Sequence, residues 1–285
     1  MKEIKTRTKN LIFNINIKSS YLKHNKESFH LDFENKIYRQ HELVKLIRDT
    51  VLFFALTRDE LAKINSETLS KLQSRAWKRI SDRPSEKKGD YGELLLFLLL
   101  EVFYPTQKII TKVRLRSSLS DEIKGFDCAH FSIDENNEVC LWLGEAKFHK
   151  DFSTAIFQAV KSVNEHITDK SIKDELSILE GNNSEIDEET RGIIEDYLNS
   201  GISLDKMKFK IPILLTYDSP IVKAHESICD KFIEELKKEL EKKYLSIDTK
   251  GLKIKPNIEL HFILFPLEAV SNIKEELEII ENSFK

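Results

Sequence analysis

Apolar positions recur along this chain at two spacings, and the switches between them outline its elements. Residues 1–40 read as short strands and turns, with LIFNINI (11–17) alternating apolar and polar as a half-buried strand does. From 41 to 80 the spacing is helical. HELVKLIRDTVLFFAL forms one helix, Thr57 and Glu60 make a capping-box pattern for a second, and a third falls around 66–80. RPSEKKGD (83–90) breaks this pattern with a proline and a glycine and marks a candidate boundary. Beyond it, DYGELLLFLLLEVFY (90–104) predicts a mostly buried helix stopped by Pro105. Strands are predicted over 108–116, 126–133 and 139–147, with DENNE (134–138) as the turn joining the last two. A helix over 151–167, a strand over 208–218, a helix over 224–244, a strand over 258–267 and a final helix capped by Ser271 complete the order. Helix, three strands, then alternating helices and strands predict an α/β fold with a central mixed sheet flanked by helices.

Composition narrows this picture. Apolar residues make up 40% of the 285, enough for a sizeable core. Three cysteines at wide spacing form neither a disulfide framework nor a zinc pattern, so Cys128 and Cys140 read as buried free thiols. The longest apolar run, Leu94–Leu100, falls far short of the roughly 20 residues a membrane span needs, and a soluble cytoplasmic protein is expected. With a net charge of -3, any surface for nucleic acid has to be local. Residues 169–196 hold ten acidic side chains against three basic ones and read as a solvated surface insertion.

The candidate chemistry sits in two adjacent strands. Asp127 lies in KGFD, and eighteen residues later GEAK supplies Glu145 and Lys147. Residues two apart in a strand share a face, about 7 Å apart along the backbone. If DENNE closes a hairpin, Asp127 arrives at the level of Glu145, and two carboxylates converge beside an ammonium. Such a group suits phosphodiester hydrolysis: the carboxylates offer oxygen ligands to Mg²⁺ or Mn²⁺, and Lys147 can orient a water and balance transition-state charge. Glu93, in the preceding helix, is a candidate for a further carboxylate, and Gln158, in the following helix, for a water or phosphate contact. The competing reading is a surface hairpin salt bridge. Against it, these charges end a strand reading VCLWL, and a central strand is a poor place for idle charge. The histidines have no metal-ligand spacing, no nucleophile elbow is present, and no glycine-rich phosphate loop appears.

These elements resemble the core of the PD-(D/E)xK nuclease superfamily, with Phe126 standing where the superfamily pattern has a proline. From about residue 40 onward the chain also resembles the HamA family, the nuclease component of the Hachiman antiphage system, related to AbpA. GDYGELLLFLLLEVF, KGFDCAHF and LWLGEAKFHKDFSTAI carry that resemblance. It implies a restriction-endonuclease-like core and a Mg²⁺-dependent deoxyribonuclease with catalytic Asp127, Glu145, Lys147 and Glu93. Of these, Asp127 and Glu145 would bind the metal. It further implies a HamB-like helicase partner that restrains cleavage until abnormal or phage DNA is engaged.

On this reading residues 1–85 form an N-terminal α+β region, a candidate for partner or DNA contact. Residues 86–285 form the nuclease domain, with the acidic insertion at about 169–200. Lys71, Arg75, Lys78, Arg79, Arg83, Lys87 and Lys88 form one basic set, and Lys108, Lys112, Arg114 and Arg116 another. Either could contact phosphates; the first could equally be a solvated face balanced by Asp82 and Glu86. The alternative function is a catalytically inactive nuclease fold that binds DNA or scaffolds a complex.

Overall fold

Strands buried on both faces need near-continuous apolar sequence, and three runs supply it. These are β7 (Val139–Phe148), β8 (Lys208–Asp218) and β9 (Ile258–Leu267), which pair in parallel at the centre of a computed structural model of the chain. The structure describes residues 1–17, 24–80, 90–115, 125–136, 138–182, 186, 188–252 and 254–284. Antiparallel to β7 runs β6 (Cys128–Ile133), followed by β5 (Gln107–Thr111) at one edge. On the other side β2 (Asn25–Leu31) joins β9 in parallel, and β1 (Ile12–Ile15) closes that edge. The result is a seven-stranded mixed sheet in the order β1-β2-β9-β8-β7-β6-β5. A separate hairpin, β3 (Phe33–Glu34) and β4 (Ile37–Tyr38), turns through Asn35 and Lys36, both at positive φ.

Helices cover both faces. Helix α5 (Asp90–Phe103) packs on β7, and α2 (Gln40–Ala55) packs on α5. A side chain at Gly92 would place its Cβ 2.9 Å from that of Phe148, so only glycine lets α5 lie this close to the strand. On the opposite face α6 (Phe152–His166) lies against β7 and β8, capped by Asp151, whose Oδ1 accepts the Thr154 N–H at 2.7 Å. Helices α3 (Arg58–Ala62), with the expected Thr57–Glu60 capping box, and α4 (Leu69–Lys78) complete the 41–80 stretch. The short α9 (Pro220–Ala224) and α10 (Asp230–Asp248) lie between β8 and β9, and α11 (Val270–Phe284) ends the chain.

The mixed sheet flanked by helices is therefore as the hydrophobic pattern predicts, and several local expectations change. Residues 2–11 form a helix, α1 (Lys2–Leu11), not strands and turns; Ile4, Thr8 and Leu11 recur at helical spacing and are its buried positions. The strand expected over 108–116 stops at Thr111 and becomes a 3-10 turn (Lys112–Leu115), which swings Lys112 toward β6. Ser271 is not the cap of α11, which begins a residue earlier with the Val270 N–H donating to Asp218 Oδ1 at 2.7 Å. The helix expected over 224–244 begins later and runs further, as α10 over Asp230–Asp248, with the short α9 ending at Ala224 before it. The acidic insertion forms two helices, α7 (Asp169–Gly181) and α8 (Glu188–Asn199), which bury Ile172, Glu175, Leu179 and Ile194. Of the cysteines, all free, Cys128 is buried, Cys140 half-buried and Cys229 exposed. The boundary expected at 85/86 lies outside the described residues. β1 and β2 precede it, yet they share one sheet and one hydrophobic core with the strands that follow. No helix among the described residues is long and apolar enough to cross a membrane.

Candidate active site

Because β7 alternates, Ala146 and Phe148 face α5 while Glu145 and Lys147 face α6. The β6–β7 register pairs Cys128 with Gly144, and one step further puts Asp127 opposite Glu145. Three hydrogen bonds fix Asp127 there. Its N–H donates to Gly144 O at 2.8 Å, its carbonyl accepts the Lys112 N–H at 3.0 Å, and its Oδ2 accepts the Ala146 N–H at 2.9 Å. The acidic pair and the lysine named from the sequence are thus brought together at the end of a central strand.

Both carboxylates are deeply buried, Asp127 at 6% exposure and Glu145 at 2%. Burial, and then the like charge of Glu145, push the Asp127 carboxyl up to about 6, against the opposing pull of Lys112 and Lys147. Burial acts on Glu145 in the same sense, but the groups around it win and hold it at about 2. Those groups are the His166 ring, which is near without a hydrogen bond, and the donors Lys147 and Ser162. Lys147 Nζ and Ser162 Oγ both donate to Oε1, the latter at 2.8 Å, while His166 Nδ1 stands 3.7 Å from Oε2. The two carboxylates therefore have opposite proton affinities although they are neighbours, the pattern expected of groups with different tasks.

Lys112 Nζ lies 3.4 Å from Asp127 Oδ1. Burial works to lower its pKa, and the carboxylates of Asp127, Glu93 and Glu145 more than offset that, so it is raised and firmly cationic. Glu93 is buried in the first turn of α5 and contributes to this cluster through Lys112. Gln158 is exposed on α6 and pairs with His149, its Oε1 2.9 Å from the ring Nε2.

Sequence reasoning placed Lys112 only among possible phosphate contacts and missed Ser162, His166 and Glu175. The first two were within reach. Gln158, Ser162 and His166 recur every four residues on the helix that follows the GEAK strand, a polar stripe aimed at it. Glu175 carried no signal among ten acidic residues.

Among the described residues, Arg75, Arg79, Lys108 and Lys112 of the basic sets are engaged within the protein. Arg79 donates from NH1 to Glu60 Oε2 at 2.8 Å and from NH2 to Oε1 at 2.9 Å, and Arg75 reaches Oε1 at 3.0 Å. Among the described residues their counter-ion is Glu60; Asp82 and Glu86 lie outside the described residues. Lys108 donates to Phe53 O at 2.7 Å. Lys71 and Lys78 are exposed on α4. Arg83, Lys87, Lys88 and Arg116 are also outside the described residues.

Would the site suit a divalent cation? Among the described residues no set of three or more His, Cys, Asp or Glu side chains forms a metal-ligand group, so a site here would rest on Asp127 and Glu145 with waters. The donor chemistry fits that use. The ligands are hard carboxylate oxygens, the mutual repulsion of the pair would be relieved by a cation, and the buried Glu145 Oε2 accepts no hydrogen bond among the described residues.

A mixed seven-stranded sheet, helices on both faces and an Asp/Glu/Lys cluster at the ends of adjacent strands are consistent with a restriction-endonuclease-like core. A family model narrows this: the HamA model matches residues 8–280, and the chain belongs to the HamA family. Membership associates it with Hachiman antiphage defence, a multi-component system. No curated protein matches the chain.

Proposed function

We propose that this protein is a metal-dependent deoxyribonuclease, the effector of a helicase-coupled antiphage defence complex. The observation that carries the reading is the buried Asp127–Glu145 pair with Lys147 and Lys112 against it. Asp127 and Glu145 would hold Mg²⁺ or Mn²⁺, Asp127 pre-oriented by the Ala146 N–H and Glu145 by Ser162 and Lys147. A cation bound there supplies charge neutralisation at the scissile phosphate and lowers the pKa of a coordinated water. Lys147, the less buried member, orients that water and balances the charge that develops on the phosphate. Lys112 favours the ionised form of Asp127 against the burial and the Glu145 charge that oppose it. Ser162 and Lys147, both donating to its Oε1, hold the Glu145 carboxylate in place, which is the pre-organisation such a site requires.

The decisive experiment is plasmid degradation with Mg²⁺ or with EDTA, with and without the helicase partner, for wild type, Lys147→Ala, Glu145→Ala and the double variant. Each single loss should abolish cleavage and phage protection, and the double should cost little more, because such groups act as a unit. Variants that cleave and protect like wild type would sink the nuclease reading. Protection by every variant, with no cleavage by any protein including wild type, would assign the chain to a scaffold role.

A further inference from the structure

We propose that Glu175, on α7 of the acidic insertion, is a positioning residue for Asp127. The inference rests on the nuclease reading above and assigns a task to a segment whose composition suggests only a solvated surface. Glu175 lies on the buried stripe of α7 with Ile172 and Leu179 and is 7% exposed. Its carboxylate lies against the backbone at Gly125 and Phe126, the two residues before Asp127, where the Phe126 N–H favours its charged form. The approach to that contact is built around it. Gly125 has φ +119, a conformation that favours glycine, and the Glu175 carboxylate lies so close over it that a Cβ there would stand 2.6 Å from Oε2.

Two further groups hold the same corner. Lys112 Nζ spans Gly125 O at 3.5 Å and Asp127 Oδ1 at 3.4 Å. The His166 ring, which faces Glu145, meets the Phe126 ring edge-on with centroids 5.2 Å apart. Asp127's own bonds tie it to Gly144, Ala146 and Lys112, on the β7 side and across to the 3-10 turn. The Glu175 carboxylate, set against the Gly125–Phe126 backbone, braces the chain entering Asp127 from the α7 side, so the carboxylate of Asp127 is held from both directions. A helix needing only to bury its apolar stripe would be better served by leucine at 175, because an enclosed carboxylate is costly to desolvate. That cost raises the Glu175 pKa to about 7. Displacing a reactive group by about 1 Å can lower a rate by roughly 10²-fold, so a contact of this kind can matter to catalysis without touching substrate.

The test compares Glu175→Leu, which keeps the packing and removes the acceptor, with Glu175→Gln, which keeps an acceptor oxygen and removes the charge. Both are assayed as full chains with the helicase partner and Mg²⁺. Glu175→Leu should lower kcat by roughly tenfold or more with KM nearly unchanged. It should also speed amide hydrogen exchange at Phe126 by at least about tenfold, while α7 stays protected and the melting temperature holds. Glu175→Gln should restore both. The proposal is overturned if Glu175→Leu matches wild type in kcat and exchange, if Glu175→Gln is as impaired as Glu175→Leu, or if exchange rises throughout α7 with a fall in melting temperature. Should wild type itself fail to cleave, the nuclease reading falls, and exchange at Phe126 still decides whether Glu175 holds the corner that carries Asp127.

Discussion

Replacing Asp127 with asparagine should make this protein more stable at pH 8 and leave it nearly unchanged at pH 4. The native carboxyl titrates at about 6, against an ordinary 3.8, because burial and Glu145 oppose its charge more than Lys112 and Lys147 favour it. A native pKa above the unfolded one means the folded state holds its proton more tightly. The stability this contributes is complete below about 3.8 and is lost as pH rises through about 6. A displacement of about 2 pH units, at roughly 1.4 kcal/mol per unit, corresponds to about 3 kcal/mol of strain in the ionised protein. Asparagine is neutral at every pH, and its side-chain oxygen can still accept the Ala146 N–H. The stability difference between variant and wild type should therefore climb from near zero at pH 4 to about 3 kcal/mol at pH 8, most of it between pH 4 and 6. Urea unfolding in EDTA at a series of pH values measures this directly. Adding Mg²⁺ at pH 8 should then stabilise wild type and not the variant, since binding to the native state alone adds to its stability. A difference that stays flat with pH, or a variant less stable than wild type at pH 8, would refute the electrostatic account of the pair.

Three further outcomes follow from the packing. Arg79→Ala should destabilise by roughly 1–3 kcal/mol, because it strips charge-assisted hydrogen bonds from Glu60, with little change in the salt dependence of DNA binding; a flattened salt slope with an intact fold would return Arg79 to the DNA surface. Glu60 itself should matter above its lowered pKa: burial works to raise it, yet Arg79, the Thr57 N–H and Arg75 hold it at about 2. Its contribution, present above the ordinary carboxylate range, should fade as pH falls toward 2, and Glu60→Gln should abolish that part of the acid transition in a thermal melt series. Gly92→Ala should cost roughly 1–3 kcal/mol by forcing α5 away from Phe148. A melting temperature equal to wild type would show that the helix can slide instead.

How far these features could be read from the chain depended on whether their cause is local. β9 matches its sequence boundaries because IELHFILFPL is buried on both faces, and the Thr57–Glu60 box is written in two residues. GEAK gives the Glu145–Lys147 face through strand alternation alone. Helix α1 was hidden because KEIKTRTKNL shows only a sparse apolar face, and it is held by packing against α2 and α5, not by propensity. The turn at Lys112 was hidden for a related reason. KVRL has strand-forming residues, so the sequence alone predicts a continued strand, and the change to a 3-10 turn is set by context outside these four residues. Glu175 reaches Phe126 across a long separation, and nothing near it in sequence distinguishes it from the acidic residues around it.

The chain itself shows what a carboxylate looks like when it serves structure alone. Glu60 has both oxygens occupied: Oε1 by Arg75 and Arg79, Oε2 by Arg79 and the Thr57 N–H. Its ionisation is settled, and its surroundings leave it nothing further to bind. The 127–145 pair is built differently. Two acids are buried side by side, one with its proton affinity raised and the other with it depressed, and Glu145 Oε2 accepts no hydrogen bond among the described residues. Replacing buried ionic groups by apolar ones of similar size is often neutral or stabilising by roughly 1–4 kcal/mol, so a scaffold would gain by losing this arrangement. A site that must receive a cation and act on a phosphate needs the strain and the open oxygen, and groups retained against stability are those on which an activity depends. That contrast within one molecule is the physical reason for preferring enzyme over scaffold.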